Sequence, residues 1–144
     1  MFECEISIRL ILIPYFTYSA STTRLVRNFH DLLIWQKSHQ LTLNIYKITQ
    51  SFPKEEIYGL ISQMRRSSSS IPTNIAEGCG RNSNPEMKRF LIYSAGSSSE
   101  LEYQLILSKD LSYISEPTYN ELCGSVVEIR KMIHSFIQSL GRGK

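Results

Sequence analysis

The stretch PKEEIYGLISQMRRSSSSIPTNIAEG, Pro53 to Gly78, decides the fold class. Ile57, Leu60, Met64, Ser67, Ile71 and Ile75 recur in it at steps of three and four, the spacing of one face of an α-helix. Pro53 suits a first helical turn, and Glu55 and Glu56 complement the positive end of the helix dipole. Pro72 lies inside the pattern and removes a donor from the carbonyl four residues earlier, so a bend or break is expected near Ser68 to Ser69. Gly78-Cys79-Gly80 stops the run with glycine available for a left-handed cap.

The same period continues on both sides. Toward the N-terminus, Ile34, Ser38, Leu41, Ile45, Ile48 and Phe52 form one stripe, with Trp35, Thr42, Tyr46 and Thr49 beside it. Toward the C-terminus, Asn84-Pro85-Glu86 reads as an N-cap, a first-turn proline and a first-turn acid. Met87, Phe90, Leu91, Ser94, Ser98, Leu101, Leu105 and Ser108 follow it to about Tyr113. Glu116-Pro117 opens a last run carrying Leu122, Val126, Ile129, Ile133, Phe136 and Leu140. Four helices near 30–51, 54–78, 85–114 and 117–140, joined by short connections, predict an all-α, antiparallel up-down-up-down four-helix bundle.

Ser67 to Ser70 and Ser94 to Ser99 sit in helical register between large apolar residues. Small side chains there let two helix backbones approach, with the hydroxyls bonding to carbonyls one turn back. That packing role outweighs a nucleophile or a phosphorylation cluster.

The length of 144 residues suits one domain, and 42% hydrophobic with 20% charged residues suits a folded one. Cys4, Cys79 and Cys123 include no CxxC, so neither a zinc site nor a disulfide framework is signalled, and a cytoplasmic, reducing setting is expected. Residues 1–27 read differently from the rest. LILIPYF at 10–16 with Ser19-Ala20-Ser21 superficially resembles a secretory signal, but Glu3 and Glu5 make its start acidic and Pro14 interrupts the apolar run. Seven residues are also far short of the roughly 20 that span a bilayer, so no membrane partner is expected. The segment reads as an irregular extension, strand-like or disordered, or as the product of an upstream start codon. The domain proper is 28–144.

No catalytic or metal constellation is visible. His30, His39 and His134 lie at no metal-pairing interval from one another or from a cysteine, and no GxGxxG, GxxxxGK[ST] or GxSxG occurs. The chain reads as a non-enzyme without cofactor. Two surface features remain. Apolar runs such as Leu32 to Trp35, Phe90 to Tyr93 and Leu105 to Leu107 are too wide to face one core at about 100° per residue, which predicts a homo-oligomer. Arg65, Arg66, Arg81, Lys88 and Arg89 are expected to converge on one end of the bundle as a rim for RNA or DNA phosphate. Pairing with Glu55, Glu56, Glu77 or Glu86 is the competing role, and it leads slightly for Arg66 and Arg81. The net charge of +3 permits a polyanionic partner without requiring one.

Asn28-Phe29, Asp31-Leu32, Trp35-Gln36-Lys37, Phe52 to Glu56, Tyr58-Gly59-Leu60, Gln63 to Arg66, Ser70-Ile71-Pro72, Asn74 to Gly78, Gly80-Arg81 and Arg89-Phe90-Leu91 carry a family resemblance. Ala95-Gly96-Ser97 and Glu100-Leu101 complete it over residues 28 to 140. The chain resembles the bacterial four-helix-bundle proteins encoded in 23S ribosomal RNA intervening sequences, relatives of the accessory variability determinants of diversity-generating retroelements. Ser67-Ser68-Ser69 stands where the family is more alanine-like. The resemblance implies a four-helix bundle in a ring-like homopentamer. For the accessory branch it implies a basic surface for nucleic acid and a reverse transcriptase partner. Such likeness carries fold further than function.

Overall fold

A computed structural model describes residues 27–141. The extension expected over residues 1–27 therefore lies almost wholly outside the described residues. Four helices follow: α1 (Leu33–Ile48), α2 (Leu60–Cys79), α3 (Asn84–Asp110) and α4 (Glu116–Gly141), with short 3-10 turns at Phe29–Asp31, Thr49–Ser51 and Lys54–Tyr58. No strand occurs among the described residues.

Side-chain contacts give the direction of each helix. Thr42 reaches Ser68 while Thr49 meets Arg65, so partners recede along α2 as they advance along α1. The same reversal relates α2 to α3, where Ser67 meets Gln104, Ser70 meets Ser97 and Ile71 meets Ser94. Glu102 with Cys123 and Ser99 with Arg130 give it for α3 and α4. α1 packs on α4 as well as α2, closing a ring of four antiparallel neighbours. Ile45, Met64, Ile71, Ile75, Leu91, Leu101, Leu105 and Ile133 have no exposed surface at the centre.

α1 is shorter than the expected 30–51 at both ends, where 3-10 turns take over, and three further helix ends differ from the sequence expectation, each for a local reason. α2 begins at Leu60, not at residue 54. Residues Lys54–Tyr58 wind as a 3-10 turn, and Gly59 at φ −103°, ψ −119° breaks the register. The Glu56 carboxylate accepts from the Leu60 amide at 2.9 Å and from the Tyr113 hydroxyl at 3.2 Å. Glu56 thus caps the helix it was expected to belong to. α3 starts at Asn84 with Ser83, not Asn84, as the N-cap. Glu86 three residues on donates its amide to Ser83 Oγ, which in turn donates to the Glu86 carboxylate. α3 ends at Asp110 rather than near 114. Ser112 turns left-handed at φ 60°, its amide donating to Lys109 O, while the Tyr113 amide donates to Ser108 O. That is a Schellman stop built without glycine.

Of the bend or break expected near Ser68 to Ser69, the break does not occur: α2 runs through Pro72 as one helix. The carbonyl robbed of its donor is Ser68, and Thr42 Oγ1 lies 2.9 Å from it and 3.0 Å from Ser38 O, so its one hydrogen is shared between the two carbonyls. A buried hydroxyl on α1 thus replaces the amide that proline lacks, and leaving that carbonyl bare would cost about 1–3 kcal/mol.

The serines act as expected. Ser38, Ser67, Ser68, Ser94, Ser98 and Ser108 are buried at the helix contacts. Ser98 donates to Ala95 O, Ser94 crosses to Ile71 O at 3.0 Å, and Ser67 to Gln104 Oε1 at 2.6 Å. No buried side-chain polar atom among the described residues lacks a partner.

Candidate nucleic-acid interface

The four-residue connection between α2 and α3 is set by a close helix approach. A Cβ on Gly78 would sit 2.7 Å from Met87 Sδ and 3.1 Å from Phe90 Cβ, so any larger residue there would have to push Met87 and Phe90 aside. Arg81 leaves this corner and pairs back to Glu77 one turn earlier, its guanidinium 4.6 Å from the Phe90 ring centre. Lys88 is exposed on the first turns of α3 and makes no ion pair or side-chain hydrogen bond among the described residues. Arg89 donates from Nε to the Tyr93 hydroxyl at 2.7 Å, and that bond raises its pKa further, keeping it charged. Arg27, which sequence reasoning grouped with the extension, joins the same end by donating to Asn84 Oδ1 at 2.9 Å. Nothing in the helical period signals that contact.

Arg65 and Arg66 do not converge with these residues. Because α2 continues through Pro72, Arg65 and Cys79 are separated by about 21 Å at 1.5 Å per residue. Arg65 Nε donates to Thr49 Oγ1 at 2.9 Å, and its guanidinium covers the Tyr46 ring at 4.9 Å. Arg66 pairs with Glu100 at 3.3 Å across α2 and α3. Of the five candidates, Arg66 and Arg81 have carboxylate partners. Lys88 and Arg89 lie together without one.

Lys88 heads a second feature. Ile92, Gly96, Ser99, Tyr103 and Ile106 follow it at steps of four and three, and all are exposed. Tyr103 is 63% and Ile92 52% exposed. The stripe is straight: Lys88 and Ile106 are eighteen residues apart, five full turns and about 27 Å. A Cβ on Gly96 would touch nothing, so a flat gap lies in the middle of the stripe.

Other chemistry is sparse. No three His, Cys, Asp or Glu side chains among the described residues could hold a metal ion. His39 stacks on Trp35 with centroids 5.2 Å apart and His30 meets its edge at 5.0 Å, so both are engaged by an aromatic ring. Cys79 is buried, which raises its thiol pKa, with Arg27 opposing weakly; such a thiol is a poor nucleophile. Among the described residues no helix is long and apolar enough to cross a membrane.

A family model described as 23S rRNA-intervening sequence protein matches residues 30–135. No curated protein matches the chain. A crystal structure of a protein of unknown function from the S23 ribosomal protein family of Bacteroides thetaiotaomicron VPI-5482 is 26% identical, with a TM-score of 0.67. The match covers 73% of this chain and 98% of that one.

Proposed function

The chain belongs to the 23S rRNA-intervening sequence protein family, and from that premise we propose that it is a non-enzymatic, self-assembling scaffold that binds RNA or DNA at its α2–α3 end. One observation carries the reading: on the outer stripe of α3 only Ser99 reaches another helix, accepting from Arg130, while Lys88, Ile92, Tyr103 and Ile106 are exposed in line. Its apolar part suits a contact between copies, because tyrosine and isoleucine exposed in line are a liability on a lone protomer. A ring of five is the expected assembly from the resemblance. Packing copies along the stripe brings Lys88 and Arg89 of each to the same end, where Glu77 and Glu86 are engaged with Arg81 and Ser83. A modest cation pair becomes a ring of charge. The free thiols Cys79 and Cys123 accord with a reducing cytoplasm.

The test is a salt-titrated anisotropy measurement with ribosomal RNA fragments. Each neutralised phosphate releases counterions, so affinity should fall steeply between about 50 and 200 mM salt. The double variant Lys88→Ala/Arg89→Ala should bind more weakly with a flatter salt slope and unchanged helicity, whereas Lys54→Ala at the opposite end should behave as wild type. Absence of binding at about 50 mM salt, where electrostatic binding is strong, would refute the nucleic-acid part.

A second reading is an adaptor for a protein partner such as a reverse transcriptase, without nucleic-acid affinity of its own. The Arg66–Glu100 and Arg81–Glu77 pairs favour it, because they neutralise two of the five candidate cations.

A further inference from the structure

Four aromatic rings gather at the start of α1. Phe29 and Trp35 pack partly against the core, their ring centres 4.9 Å apart. His39, one helical turn after Trp35, lies parallel to the indole at 4° and 5.2 Å, and His30 meets the same indole edge-on at 5.0 Å. Both histidines are exposed, and neither imidazole bonds to another side chain among the described residues. A ring has two faces, and Trp35 covers one face of His39. An aromatic pair already stacked and anchored on a core can take a further ring with little ordering left to do.

The rings stand at the end of the bundle that carries the unpaired cations. α1 is antiparallel to α2, so its start lies beside the end of α2, and the turn Phe29–Asp31 packs on α2. Arg27, at most about 7 Å of chain from Phe29, donates to Asn84 at the start of α3. Lys88 is one helical turn further on. Rings, Arg27 and then Lys88 with Arg89 thus follow one another across this end. Asp31 is the single carboxylate between Arg27 and His39, and Lys37 is paired with Glu128 at 2.7 Å. The phosphates of a polyanion are therefore drawn toward Arg27 and Lys88, which leaves its bases for the rings.

We propose that His39, His30 and Trp35 form a stacking shelf for the bases of an unpaired RNA or DNA strand whose phosphates lie on Arg27, Lys88 and Arg89. The inference rests on the nucleic-acid reading above and adds a substrate class to it. Phosphate contact alone accepts duplex and single strand, whereas only an unpaired base offers its face to a side-chain ring. The free imidazole nitrogens add hydrogen-bonding capacity at the edge of the shelf.

Two probes test it on the full chain: a single-stranded oligouridylate of about ten nucleotides, and an abasic phosphodiester of the same charge. At about 50 mM salt the oligouridylate should bind about five- to a hundredfold more tightly than the abasic chain. It alone should quench Trp35, the one tryptophan of the protein. His39→Ala should remove most of the preference with the salt slope unchanged, and His39→Phe, which keeps a ring, should retain it. Lys88→Ala/Arg89→Ala should weaken both probes alike. Equal affinity for the two probes, a preference untouched by His39→Ala, or one lost in His39→Phe as well would overturn the shelf and leave phosphate binding standing. Binding of neither probe would overturn both readings and favour a protein partner at this end.

Discussion

α2 and α3 lie side by side and form the most extensive helix pair, yet they use their surfaces in opposite ways. On α2 the apolar residues are gathered on one face, Leu60 to Ile75, and the charged residues on its flank find partners nearby in Thr49 and Glu100. On α3 the apolar residues are spread around the circumference. Met87, Leu91, Leu101 and Leu105 are fully buried, while Ile92, Tyr93, Tyr103 and Ile106 face outward. The four-helix core explains α2 completely. It explains only half of α3, and the remaining half is the surface on which the proposed self-assembly rests.

The sharpest way to break this contrast is to truncate one residue on each helix. Ile71→Ala removes a side chain with no exposed surface and should cost about 2–5 kcal/mol in chemical denaturation. Tyr103→Ser should leave far-UV circular dichroism unchanged and act on particle mass instead. Equal losses of helicity in both variants would mean that α3 is as fully used by the core as α2.

Thr42→Val asks whether α2 depends on its polar interior. The isosteric change leaves the Ser68 carbonyl opposite Pro72 without its hydroxyl partner and should cost about 1–3 kcal/mol. Thr42→Ser keeps the donor and should recover most of that loss. A neutral Thr42→Val would show that the carbonyl is satisfied elsewhere. The smallest effect belongs to the end of α3. Ser112→Gly relieves a left-handed serine and should stabilise the protein by up to about 1 kcal/mol, read as a higher midpoint in urea. No gain would mean that the extra freedom of glycine in the unfolded chain offsets the relief.

The four helices were legible because three-four spacing runs through each of them without interruption. The ends were less so. Pro53, Glu55 and Glu56 have the chemistry of a helix start, but Gly59 turns the chain and Glu56 caps from outside, a contact that depends on where Tyr113 lies. Ser112 hides a left-handed stop because neither glycine nor asparagine marks it. Pro72 was read as a bend or break, since the hydroxyl that reaches the Ser68 carbonyl comes from Thr42, 26 positions before Ser68 in sequence. For the candidate interface, the Arg81–Glu77 pair was within reach of sequence because the two are one helical turn apart. The separation of Arg65 from Lys88 followed only once α2 proved continuous.

Self-assembly over the outer stripe of α3 is the central claim, and light scattering on the full chain across a micromolar dilution series tests it most directly. The expected mass is several times the 16.6 kDa protomer, falling toward the protomer when Tyr103→Ser and Ile106→Ser are combined. A wild-type mass of 16.6 kDa throughout the series, or an assembly untouched by that pair of substitutions, would contradict it.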